Sequence, residues 1–145
     1  MRSARAAVAG ALAATLALGA LLAAAGCGGV QAADLFLVTR EGPAAGQRLV
    51  LLINEEGGVT CNGRFAGRLD DPKIVESRAI QEDLKDPASE HLQLPPGHGS
   101  VLRYHVRDAD GTVVFYDDSP GQPSVLHKLQ LLVLQAAQQV CRLPA

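Results

Sequence analysis

Val101-Leu102-Arg103-Tyr104-His105-Val106-Arg107, Asp108-Ala109-Asp110-Gly111 and Thr112-Val113-Val114-Phe115-Tyr116 make up the passage that decides the fold class. Leu102, Tyr104 and Val106 fall on one side and Arg103, His105 and Arg107 on the other, the period of two that marks a strand with one face in the core. Asp-Gly is turn chemistry, so Thr112 to Tyr116 returns as the partner strand. Beyond it, Asp117 to Gln122 leads into a helix predicted from Pro123 to about Val140. Its apolar positions Val125, Leu129, Leu132, Ala136 and Val140 keep the spacing of a packed stripe, widened by Leu126, Leu131, Val133, Leu134 and Ala137.

Working back from the same passage, Ala88 to Ser100 holds two prolines, two glycines and two histidines and reads as a surface loop. Asp71-Pro72 announces an earlier helix, capped by Asp71 and carried by Ile74, Val75, Ala79, Ile80 and Leu84 until Asp86-Pro87 stops it. Before that, Leu35–Arg40 and Arg48–Asn54 are nearly continuous apolar runs, as expected of strands central in a sheet or covered on both sides. Glu41 to Gly46 joins them as a hairpin loop, and Val59–Cys61 forms a short third strand ending at the turn pair Asn62-Gly63. The expectation is one α+β domain over residues 34–145. It has an antiparallel sheet of about five strands and two helices, in the order β-β-β-α-β-β-α, with the helices on one face.

The first 26 residues belong to no such domain. Of the 145 residues, 48% are apolar, yet twelve alanines are crowded into these 26 positions, and about two-fifths of the remainder is apolar. Arg2 and Arg5 precede an uncharged run from Ala6 to Ala25, the plan of an export signal. The run is long enough to span a bilayer, but no cluster of positive charge follows to stop transfer, so cleavage is expected over retention as an anchor. Leu22-Ala23-Ala24-Ala25-Gly26-Cys27 resembles the lipobox of bacterial lipoproteins, although Ala24 stands where that motif usually has Leu. The resemblance implies cleavage before Cys27 and a diacylglycerol on its thiol, with residues 27–33 as a tether reaching roughly 20 Å. A conventional signal cut near Ala25 or Ala33, giving a secreted soluble protein, is the alternative.

Three cysteines are present. In an oxidising compartment, a lipidated Cys27 leaves Cys61 and Cys141 as one disulfide pair, the alternative being two buried free thiols. Without Arg2 and Arg5 the chain has 11 basic and 15 acidic residues, a net charge of −4. No basic stripe is present, so nucleic acid is not expected as a partner.

Side-chain chemistry gives few leads. His91, His98 and His105 recur every seventh residue, but two sit in a loop and one on a strand, so neither this spacing nor the absent C-x-x-C pairs suggests a metal. Asp108, Asp110, Asp117 and Asp118 flank one hairpin within reach of each other, a pattern better explained by turn and capping chemistry than by acid/base work. No G-x-S-x-G or phosphate-cradling loop is found, and neither an enzyme nor a cofactor is expected. The cationic strip Arg103, His105 and Arg107 is the candidate contact for an acidic partner. With few aromatics left off the strands, a ring-stacking platform is the least expected kind of site.

Two family resemblances extend this reading. Leu35-Phe36-Leu37-Val38-Thr39-Arg40, Cys61-Asn62-Gly63, Leu94-Pro95-Pro96-Gly97, Gly99 to Tyr104 and Asp110-Gly111-Thr112-Val113 resemble a group of small, uncharacterised lipoproteins of actinobacterial type. This implies export and anchoring, and no activity; the lipobox-like Cys27, the remaining cysteine pair and the lack of a catalytic constellation give the expectation of a lipid-anchored module at the outer face of the cytoplasmic membrane that binds another envelope or secreted protein. More loosely, Tyr104-His105-Val106 through Asp110-Gly111 and Pro123 to Leu129 is similar in layout to emfourin-type inhibitors of thermolysin-like metallopeptidases, implying the alternative of a peptidase inhibitor. The Cys61 strand and its disulfide are additions to that layout, and no inhibitory residue carries over.

Overall fold

The computed structural model describes residues 33–44 and 46–143, so the export segment and Cys27 lie outside the described residues. The elements are β1 (Asp34–Glu41), β2 (Leu49–Asn54), β3 (Gly58–Cys61), β4 (Arg64–Arg68), α1 (Asp71–Ser89), β5 (Arg103–Arg107), β6 (Thr112–Tyr116) and α2 (Ser124–Gln139). All six strands pair antiparallel in one sheet of order β4-β3-β2-β1-β5-β6. The α+β class therefore holds, with one strand more than the expected five.

The extra strand is β4, Arg-Phe-Ala-Gly-Arg, most of whose residues are exposed. With no buried alternate positions, it has no hydrophobic period to betray it. Its signal was the turn: Asn62 at φ 50° and Gly63 at φ 79° both adopt the left-handed conformation of a two-residue hairpin, which requires a returning strand. β1 and β2 are the central strands, but the described residues cover only one of their faces. Phe36, Val38 and Arg40 of β1 sit opposite Ile53, Leu51 and Leu49 of β2, and all six are buried.

Both helices cover that face. Ile80, Leu84 and Ala88 of α1, with Leu126, Leu129, Leu132, Val133 and Ala136 of α2, join Phe36, Val38, Leu51, Ile53, Val106 and Phe115 in one core. α2 leaves β6 at one edge of the sheet and ends with Val140 beside Gly67 of β4 at the other. Sixteen residues make a helix about 24 Å long, the width of five inter-strand gaps, so α2 is long enough to cross the whole sheet. Leu131 and Leu134, which widened the predicted stripe, are exposed.

Three boundaries differ from expectation. The N-cap of α1 is Asp70, not Asp71: its carboxylate accepts from the Lys73 amide at 3.0 Å, leaving Asp71 in the first turn, where negative charge suits the helix dipole. The helix also runs through Pro87 to Ser89 rather than stopping at Asp86-Pro87. Packing holds that last turn, because Ala88 is buried and its carbonyl lies so close over Gly111 that a Cβ there would collide with it. Finally, the expected loop from Ala88 to Ser100 is in part a strap. The Leu94 amide donates to Val114 O and the Val114 amide to Leu92 O, both at 2.9 Å, so residues 92–94 close the outer edge of β6.

Cys61 and Cys141 form a disulfide with Cα atoms 5.9 Å apart and 80 residues between them. It ties β3 to the chain just past α2, the pairing expected once Cys27 is set aside.

Candidate functional site

The uncovered face of the sheet is the natural place to look for function, since nothing among the described helices packs on it. Strand register orders it into rows. One row runs Phe65, Thr60, Leu52, Leu37, Arg107, Thr112 from β4 to β6, and the next runs Val50, Thr39, His105, Val114. The face is therefore apolar toward β4 and cationic toward β5. Phe65, at 71% exposure, is the most open large apolar side chain on it. It lies on a strand, as expected of the aromatics, but on an exposed one.

The strip Arg103, His105, Arg107 lies on this face, as its alternation predicted, but its charge is partly engaged. Arg103 pairs with Glu41 of β1 at 3.3 Å, both half-exposed, an arrangement worth little in stability. Arg107 borders a small hollow of about 240 Å³ with Asp34, Leu37, Leu52 and Asp108. Asp108 Oδ1 accepts the Asp110 and Gly111 amides, the Asx chemistry of its turn, while Oδ2 is buried without a hydrogen-bond partner.

The four carboxylates that flank the hairpin do not come together, and serve the turn and loop contacts that the sequence favoured. Asp108 and Asp110 stand at one end of the β5–β6 hairpin and Asp117 and Asp118 at the other, with the five residues of β6, about 17 Å, between. Asp118 instead accepts from the Ser100 hydroxyl and, at 2.7 Å, from the Gly99 amide, while Asp117 accepts from the Val101 amide at 3.0 Å. These contacts pin the loop 97–101, and the Ser100 hydrogen bond holds the Asp118 pKa below the usual carboxylate value. A depressed pKa means the contact stabilises the fold above the ordinary carboxylate range and is lost as pH falls through the lowered value. Protection of the Gly99 amide, its exchange measured relative to the unstructured rate at the same pH, is thus expected to fall on acidification, and Asp118→Asn to lower it already at neutral pH. Protection indifferent to both changes would refute the pinning role.

Of the histidines, His91 meets Thr112 Oγ1 at 3.4 Å, His98 lines the hollow beside Asp118, and His105 lies on the open face. No group of three or more His, Cys, Asp or Glu able to hold a metal occurs among the described residues. The residue that sequence reasoning passed over is Arg40, 5% exposed on the core side of β1. Its Nε and Nη2 donate to the carbonyls of Gln47 and Gly46 at 3.0 and 3.2 Å, which clamps the β1–β2 loop. An arginine ending an apolar strand gives no sign of burial until its carbonyl partners are in view.

The end of the sheet where the chain enters is acidic. Asp34 lies opposite Asn54, the Glu55 amide donates to Ala33 O, the Leu69 amide to Gly57 O, and the 108–111 turn sits at the same end. Asp34, Glu55, Glu56, Asp70, Asp71, Asp108 and Asp110 lie toward that end, against Arg68, Lys73, Arg78, Lys85 and Arg107. No helix of the described residues is long and apolar enough to cross a membrane. No family model, curated protein or solved structure matches the chain.

Proposed function

We propose that this chain is a lipoprotein anchored outside the cytoplasmic membrane by acylated Cys27, and that its domain acts by binding another envelope or secreted protein. The observation that supports this reading is the Cys61–Cys141 disulfide, which suits an oxidising compartment and leaves Cys27 as the odd cysteine, placed directly after an export-like segment. Two acyl chains on one residue give stable anchoring without a polybasic patch, and none adjoins Cys27.

The intact mass of the membrane-extracted protein tests the location. Loss of residues 1–26 with an added diacylglyceryl group is the expected result, and an unmodified Cys27 in a soluble fraction would overturn it. The rival reading, an inhibitor of a secreted metallopeptidase, draws on the layout of residues 104–129. Stoichiometric loss of activity when a thermolysin-like peptidase is titrated with the protein would favour it over the general binding module.

A further inference from the structure

The two edges of the sheet are treated differently. The strap 92–94 occupies the Val114 amide and carbonyl on the outer side of β6, whereas β4 pairs only with β3, and no described residue pairs with its outer side. Edge strands offer a row of free N–H and C=O groups and are ordinarily short, charged or bulged to discourage pairing. β4 is short and bulged, yet it exposes Phe65 and is bracketed by two hollows. One, of about 480 Å³, is bordered by Arg64, Phe65 and Leu143 with no carboxylate among the described residues; the other, of about 330 Å³, by Arg68 and Arg78 together with Glu56 and Asp71, so the cationic character of the edge is strongest at Arg64.

We propose that the outer edge of β4 receives an extended acidic peptide of a partner protein as a seventh strand of the sheet. Main-chain pairing supplies affinity in this mode, and side chains at alternate positions supply selectivity. Charge chooses the occupant. β4 carries two arginines and no carboxylate, and neither Arg64 nor Arg68 has an ion-pair partner among the described residues. Arg68 donates to the main-chain carbonyl of Glu56. Pairing two copies of β4 would set four guanidinium groups along one seam, and like charges across strands are destabilising. A second copy of this chain is thus disfavoured where a carboxylate-bearing strand is favoured.

Register sets the spacing of those carboxylates. The bulge sets five residues of β4, Arg64 to Arg68, against the four of β3, Cys61 to Gly58. Arg64, opposite Cys61, falls on the helix-covered side, and Arg68, opposite Gly58, falls on the open side. A regular strand that follows β4 as β3 does meets the two arginines with residues three apart, on opposite faces. Glu or Asp at i and i+3 is the pattern that fits, with an apolar side chain available for Phe65.

This inference rests on the reading of the domain as a binding module and is independent of acylation, so the mass measurement and the following test fail separately. The probe is the end-blocked peptide Thr-Glu-Thr-Val-Glu-Thr-Thr, whose Val falls opposite Phe65, titrated into the full-length, disulfide-bonded chain while backbone amide resonances are followed. Shifts confined to residues 64–68 and their flanks are expected, weakening as salt is raised. Arg64→Glu with Arg68→Glu is expected to lose about tenfold in affinity and to prefer the analogue with Lys in place of Glu. Should that double variant not fold, the salt dependence and the Lys analogue on the unaltered chain carry the test. Absence of shifts on β4 in millimolar excess of peptide overturns the proposal. So do shifts centred on Arg103–Arg107, equal affinity for the Glu and Lys peptides, and dimerisation of the chain through β4.

Discussion

Reducing the Cys61–Cys141 disulfide, or replacing both cysteines with alanine, is expected to lower the stability of the folded domain by about 4 kcal/mol. The bond closes a loop of 80 residues, and the chain-entropy contribution of a cross-link grows with the loop that it closes. It also fastens the far end of α2 to β3, the region where packing is thinnest, because Val140, Cys141 and Leu143 only partly join the core. Since whole domains are stable by about 5–15 kcal/mol, the reduced protein should unfold at a far lower denaturant concentration. Chemical denaturation with and without reductant measures the change. A shift worth less than about 1 kcal/mol would mean that α2 is held by packing alone.

Phe115→Ala is expected to cost about 3–5 kcal/mol and to bring the domain close to unfolding at 37 °C. Phe115 is fully buried in β6, stacked on Tyr104 of β5 with ring centroids 4.9 Å apart and planes 9° from parallel. Truncation removes both the buried area and the stacking contact, and the rigid β5–β6 pair cannot close over the cavity. Burial pushes the Tyr104 phenol above its usual value, with Asp117 adding to the shift and Arg40 opposing it. In the variant the phenol should titrate nearer the ordinary tyrosine value, so an absorbance titration reports the opened cavity independently of stability. An unchanged Tyr104 titration together with an unchanged unfolding midpoint would contradict the packing described.

The elements readable in the sequence are those whose burial writes a period. Tyr104 and Val106 alternate, Leu129, Leu132 and Ala136 recur at helical spacing, and all five are buried where that pattern put them. β4 escaped because an exposed edge strand buries no alternate side chain, and the passage through Pro87 escaped because Gly111, 24 residues away, supplies the packing that holds the turn. The open face was half legible. Arg103, His105 and Arg107 were placed correctly, but that Glu41 engages Arg103 depends on β1 being the neighbour of β5, a long-range pairing that no local pattern encodes. The bare edge beside Phe65 likewise emerges only from knowing which strand is last.

The acidic end of the sheet carries a meaning for a protein held by a lipid. A tether entering at Asp34 would present this end, acidic on balance despite its arginines and lysines, toward headgroups that are themselves often anionic, and within a Debye length of about 8 Å the two surfaces repel. Under the proposed anchoring, that repulsion keeps the acidic end from resting within about 8 Å of the lipid, well inside the roughly 20 Å leash, and favours upright strands over a domain lying flat. In that posture both the open face and the β4 edge look sideways along the membrane plane, toward neighbours anchored in the same leaflet.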